Sequence, residues 1–146
     1  MKYTQVKEIY QQADEFGIDA RELIEQLESL ETDFEVANYR FIAESEIDEI
    51  MANEMESDPY ILGCFNAWFI ADNTDLSLDI VEALQAAEKS DAIGQHIIDN
   101  NQVEAMQTEY ASADGYGHHF SSYDGETHED LFAGSEEGPY YGFRVN

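Results

Sequence analysis

Cations are what this chain lacks. Its 146 residues hold six Lys and Arg against 33 Asp and Glu, a formal net charge of -27. The six are Lys2, Lys7, Arg21, Arg40, Lys89 and Arg144. Twelve carboxylates and no cation lie between Arg40 and Lys89, and eleven more carboxylates between Lys89 and Arg144. Most carboxylates therefore have no cation to pair with, and their mutual repulsion opposes compaction. The same shortage excludes two classes of partner. Nucleic acid and anionic membranes are both repelled by such a surface. A basic protein surface is the favoured partner, because opposite charge steers association.

Cysteine is almost absent. Cys64 stands alone, so no internal disulfide forms, as suits a reducing compartment. The opening "MKYTQVKEIYQQADEF" lacks the apolar stretch of a signal peptide. Long hydrophobic runs are missing too. The longest apolar window, "YILGCFNAWFIA" at 60–71, falls short of the roughly 20 residues that span a bilayer. These absences lead us to expect a cytoplasmic protein with no membrane association.

Hydrophobic residues make up 43% of the chain and aromatics 12%, enough for one folded domain with a core and unlike a disordered acidic tail. Val6, Ile9, Tyr10, Ala13 and Phe16 have helical spacing over 2–16, and Gly17 follows as a C-cap. Asp19 and Glu22 form a capping pair for a second helix to about residue 31, with Leu23, Ile24, Leu27 and Leu30 on its apolar face. "ETDFEVANYRFIA" at 31–43 reads either as a linker with a short strand or as the start of a third helix. Ser45 and Asp48 resemble another capping pair, before a stripe of Ile47, Ile50, Met51 and Met55. Asp58 and Pro59 open a helix over 59–71 that is apolar nearly all round. It is expected to be the central, buried helix and to bury Cys64 as a small core residue. Leu78, Ile80, Val81, Leu84 and Ala87 carry another helix, and 91–112 one or two more. After residue 112 glycine and aromatic residues dominate, and "PYYGFRV" alternates as a strand does. The expected fold is mainly α: a small acidic helical bundle over 1–112, with an irregular aromatic, Gly-rich segment at 113–146 packed on it. A short β-hairpin is one way for that segment to close, within a single domain overall.

The carboxylates form rows. Glu22, Glu25 and Glu28 recur every three residues, followed by Glu31, a spacing of about 4.5 Å along a helix axis. Glu46, Asp48, Glu49, Glu54 and Glu56 form a second row. Like charges three or four residues apart cost a few tenths of a kcal/mol each, which an ordinary surface avoids by interleaving Lys. Each strand of B-DNA places a phosphate about every 3.4 Å, a density that such rows approach. Glu22, Glu25, Glu28, Glu46, Asp48, Glu49, Glu54 and Glu56 are therefore the candidate partner contacts.

In size, helical content and charge the chain resembles the small acidic anti-defence proteins of phages and mobile elements, the DNA-mimic type, which occupy DNA-binding sites on host nucleases. The resemblance implies an inhibitor of a basic, nucleic-acid-binding host protein, in the manner of anti-restriction and anti-CRISPR proteins. It implies no catalytic residues and no cofactor; a dimer is compatible with it. The alternative is an acidic interaction or structural module of a phage or a salt-adapted organism. A metal-dependent enzyme is the third reading.

The third reading rests on "DGYGHHFSSYDGETHEDLF" at 114–132. His118, His119 and His128, with Asp114, Asp124, Glu126, Glu129 and Asp130, offer ligands that zinc or iron accepts. No pair of histidines has the spacing that shares a helix face, and the acids do not follow the calcium-loop pattern. Cys64 with a His and an Asp would make a nucleophilic set, but it sits in the most apolar segment. Ser121 and Ser122 lack a nucleophile elbow, and no Gly-rich phosphate loop occurs. The structural reading is stronger: Gly115, Gly117 and Gly125 permit turns while Tyr116, Phe120, Tyr123 and Phe132 anchor the loop. An ordered aromatic loop is expected, without catalysis or a bound metal.

Overall fold

The computed structural model describes residues 3–146. Nine helices among these residues account for 56% of them, and four strands in one antiparallel sheet for 13%. The mainly α expectation holds at that coarse level. A helical bundle with an irregular tail does not: residues 31–43 and 128–144 supply a sheet. Two compact units are present. One comprises the residues up to Ile47 together with Asp114–Asn146; the other is Asp48–Ala113.

The first unit begins with α1 (Tyr3–Phe16); residue 2, the expected start of this helix, lies outside the described residues. Gly17 adopts φ +67 after it. The Ile18 and Gly17 N–H groups donate to Ala13 O at 3.0 Å and Asp14 O at 3.1 Å, the double closure of a Schellman turn. The Asp19 carboxylate then caps α2 (Ala20–Glu28), accepting from the Arg21 N–H at 2.9 Å. The helix stops at Glu28, short of residue 31. Leu30 takes φ 59 and the Glu31 N–H donates back to Gln26 O at 3.2 Å, so a second Schellman turn releases the chain into the sheet.

β1 (Asp33–Val36) and β2 (Tyr39–Ala43) form a hairpin whose turn holds Ala37 at φ 54. The ambiguous stretch 31–43 is thus a pair of strands. Alternation decides it, because Phe34 and Val36 are buried while Asp33 and Glu35 are exposed. β4 (Tyr140–Arg144) pairs with β2, placing Phe41 opposite Gly142, and β3 (His128–Leu131) completes the order β1-β2-β4-β3. "PYYGFRV" is therefore an inner strand. One sheet face joins Phe34, Val36, Phe41 and Tyr140 to Ile9, Ala13, Leu23 and Leu27 of α1 and α2 in a single core. Phe41 packs on Phe34 and Phe132 at 5.6 and 5.4 Å between ring centres. The alternate residue Phe143 meets Phe120 of α9 (Tyr116–Phe120) at 5.1 Å.

The second unit is helical. It contains α3 (Ile47–Glu56, from Asp48 on), α4 (Pro59–Gly63), α5 (Ala67–Asn73), α6 (Leu78–Ala86), α7 (Ser90–Asp99) and α8 (Val103–Asp114, up to Ala113). Here the expected central helix over 59–71 is corrected. It is two short helices, because the Asn66 carboxamide accepts from the Trp68 and Phe69 N–H groups at 2.9 and 3.4 Å and starts a new helix. Each short helix buries one stripe, Leu62 in α4 and Ile70 in α5. Tyr60 and Ile61 are each 55% exposed and Trp68 63%, and Cys64 is exposed, not a core residue. α4 lies against α7 at backbone distance. A Cβ on Gly63 would come within 1.8 Å of Ser90 O, and one on Gly94 within 1.8 Å of Pro59 O. Among the described residues no helix is long and apolar enough to cross a membrane.

Candidate functional site

The eight candidate carboxylates divide between the two units. Glu22, Glu25 and Glu28 lie on α2 and are exposed, opposite the buried Ala20, Leu23 and Leu27. Glu31 falls beyond the helix, so the row has three members on regular backbone. Glu46 is half-buried just before α3. Asp48, Glu49, Glu54 and Glu56 lie on α3, whose buried stripe is Ile47, Met51 and Met55. Helical periodicity accounts for both placements.

A helix C-terminus carries partial negative charge. α1, α2, α3, α5, α7 and α8 each carry a carboxylate among their last four residues, Glu28 and Glu56 being the final residues of α2 and α3. No Lys or Arg occupies the last turn of any described helix. Each such carboxylate opposes the helix dipole by about 0.3–1 kcal/mol at low salt. These C-terminal acids thus stand where the dipole disfavours them, whereas Glu22, Asp48 and Glu49, in the first turns of α2 and α3, stand where it favours them.

The few cations do little to neutralise these rows. Arg40 forms a two-pronged pair with Asp33, at 2.7 and 2.8 Å, and lies 5.1 Å from the Phe120 ring. Arg144 stacks 3.9 Å over Tyr123 and donates to Asn146 O at 2.9 Å. His96 meets Asp75 at 2.8 Å, and this hydrogen bond, helped by one from Gln102, holds the Asp75 carboxyl below its ordinary value. Among the described residues no ion pair engages Glu22, Glu25, Glu28, Glu46, Glu49 or Glu56.

Asp48 is held from behind. The buried Gln107 of α8 donates to its Oδ1 at 2.8 Å. Asp48 and Glu49 also line a groove of about 280 Å³ with Glu104, Gln107, Ala52 and Asn53. Glu104 went unnoticed in the sequence, where α8 has no regular acidic row to draw attention to it. Exposed Tyr60, Ile61 and Trp68 were missed for a different reason: a segment apolar throughout gives no sign of which side faces water. The unit that carries them, Asp48–Ala113, holds fourteen carboxylates and one cation, Lys89.

The histidine stretch folds around its glycines. The Gly117 N–H donates to Thr127 Oγ1 at 2.8 Å. The Ser121 hydroxyl bridges Asp124 Oδ1 at 2.9 Å and Arg144 O at 3.1 Å. Asp124 accepts in turn from the Glu126 N–H at 3.0 Å; these bonds, that from the Glu126 backbone first, hold its carboxyl below the ordinary value. Phe120 and Phe132 are buried, while Tyr123 stays 64% exposed. Of the ligand types in this stretch, Asp124, Glu126 and His128 bring one ligand atom each within 4.8 Å of one another. His118 and His119 are not in that group.

The chain matches no protein-family model, no curated protein and no solved structure.

Proposed function

We propose that this protein is a cytoplasmic inhibitor that binds a basic, nucleic-acid-binding surface of a host protein, presenting carboxylate rows in place of phosphates. The carrying observation is that carboxylates crowd the helix ends against the dipole and have almost no cations among them. A surface selected only for folding would place Lys there. Glu22, Glu25 and Glu28 on α2 supply one row and Asp48, Glu49, Glu54 and Glu56 on α3 another, with Glu46 between them in sequence. Arginine or lysine side chains of the partner would exchange phosphate contacts for these carboxylates. Exposed Tyr60 and Trp68, in the unit that holds fourteen carboxylates and one Lys, favour a protein partner over mere salt tolerance, since Tyr and Trp dominate binding hot spots.

The test has two steps. The protein is used to capture partners from a host lysate at about 50 and 500 mM salt, on either side of strong screening. A captured nucleic-acid-binding protein is then assayed for DNA or RNA binding with and without the inhibitor. Competition is expected at low salt, and its loss when Glu22, Glu25, Glu28 and Glu49 become Gln with helicity retained. If the captured protein binds nucleic acid equally well under saturation, or the Gln variant competes as before, the mimic reading fails. Undiminished binding by the Gln variant would favour the non-mimic interaction module.

A further inference from the structure

We propose that Asp124, Glu126 and His128 form a binding site for one divalent transition-metal ion. This inference is independent of the proposed function. The three residues lie in one stretch that turns at Gly125, where φ is +71, and enters β3 at His128; the turn, closed by the Glu126 N–H donating to Asp124 Oδ1 at 3.0 Å, brings the three side chains together. The resulting set is two carboxylates and one imidazole, each offering a ligand atom within 4.8 Å of the others. Ligands bound at about 2.1 Å to one ion lie at most about 4.2 Å apart, so small side-chain rotations close the set. Two carboxylates balance the charge of a divalent ion, and the imidazole favours zinc-like ions over calcium, which prefers oxygen alone.

The site is also positioned from behind. The His128 ring sits edge-on to Phe16 at 5.1 Å and to Tyr39 at 6.3 Å. The Gly125–Glu126 backbone presses so closely on Gly117 that a Cβ there would fall 2.2 Å from Gly125 O. One Asp124 oxygen is engaged by Ser121 and the Glu126 N–H, which fixes the carboxylate. Three protein ligands leave at least one position for water or for a group from a partner.

A chain this acidic attracts any cation, so stoichiometry alone does not test the site. The full chain, stripped with a chelator, is titrated with Zn²⁺ while NMR follows the four histidine rings. His128 should move first and saturate at one equivalent. Glu126→Gln, an exposed change, should weaken this binding at least roughly tenfold. His128→Gln should abolish the one-equivalent event, while Asp48→Asn with Glu49→Gln leaves it within about twofold. Ca²⁺ should leave the His128 ring unmoved. Parallel movement of His96, His118 and His119 with His128, an unchanged affinity in Glu126→Gln, or an equal response to Ca²⁺ would overturn the proposal.

Discussion

Replacing Glu28 and Glu56 by Gln should stabilise the protein while weakening it as an inhibitor. Each is the last residue of its helix, α2 or α3, and each is exposed. Neutralising a carboxylate at a helix C-terminus recovers about 0.3–1 kcal/mol at low salt. The two positions lie in different compact units and share no partner, so the gains add to about 0.6–2 kcal/mol. Unfolding entropy of about 2.1 cal/mol/K per residue makes 1 kcal/mol worth about 3 °C for a chain of this length. The double variant should therefore melt about 2–6 °C higher in 20 mM salt. In 1 M salt, where screening acts within about 3 Å, the gain should nearly vanish. Glu22→Gln is the internal control: Glu22 lies in the first turn of the same α2, where the dipole favours a carboxylate, so its loss should lower the midpoint. Thermal melts followed by circular dichroism at both salt concentrations decide the matter. A gain that ignores salt, or a Glu22 variant that shifts the same way as the Glu28 variant, would refute the dipole argument and remove the main support for the proposed function.

Other consequences can be measured on the same preparation. Leu30 and Glu88 adopt φ 59 at helix ends, where a side chain costs about 1–2 kcal/mol. Leu30→Gly and Glu88→Gly should each raise stability by about 0.5–1 kcal/mol after the loss of glycine entropy, seen as a higher urea midpoint. Gly94→Ala must open the α4–α7 contact, because its Cβ would strike Pro59 O; a loss of about 1–3 kcal/mol is expected in the same assay. Burial raises the Tyr140 hydroxyl from 10.0 to about 12, and that hydroxyl donates to Glu31 O at 2.5 Å. The unfolded chain ionises first, so stability should be full below pH 10 and fall between pH 10 and 12. Tyr140→Phe should flatten that alkaline limb and cost about 1 kcal/mol at neutral pH. Asp75 behaves oppositely. Its folded value lies below 3.8, so its contribution is present above that pH and lost as pH falls through the lower folded value, and Asp75→Asn should flatten the acid limb of a stability–pH profile.

Some of this was legible in sequence for simple reasons. Caps are local chemistry, and Asp19, Asp58 and Gly17 mark the ends at which helices begin or stop. The outward placement of Glu22, Glu25 and Glu28 follows from the inward spacing of Leu23 and Leu27. The sheet was not legible, because its strands come from opposite ends of the chain. β2 pairs with β4 across about a hundred residues, and nothing local in "YRFIA" announces a partner at 140–144. The helix over 59–71 failed for the converse reason. Apolarity all round does not mean burial all round: Asn66 divides the segment into pieces with one buried stripe each. The grouping of Asp124, Glu126 and His128 was not legible, because it depends on the turn at Gly125, where φ is +71, and not on a period in the sequence.

The division of 59–71 at Asn66 bears on function. Had 59–71 been one central helix, Tyr60, Ile61 and Trp68 would be core residues. As folded, large apolar side chains stand in water within the unit that holds fourteen acids and one Lys. Carboxylates in water bind cationic partners quickly but loosely, because exposed pairs are screened and are worth about 0–1 kcal/mol each. Aromatic side chains that become dry on contact supply affinity that salt does not remove. The two classes of residue therefore predict different kinetics. Gln substitutions in the carboxylate rows should slow association with the captured partner and reduce its salt dependence. Trp68→Ala should instead speed dissociation at every salt concentration. Surface plasmon resonance separates the two, and a Trp68→Ala variant that dissociates like the parent would leave electrostatics as the whole of the interaction.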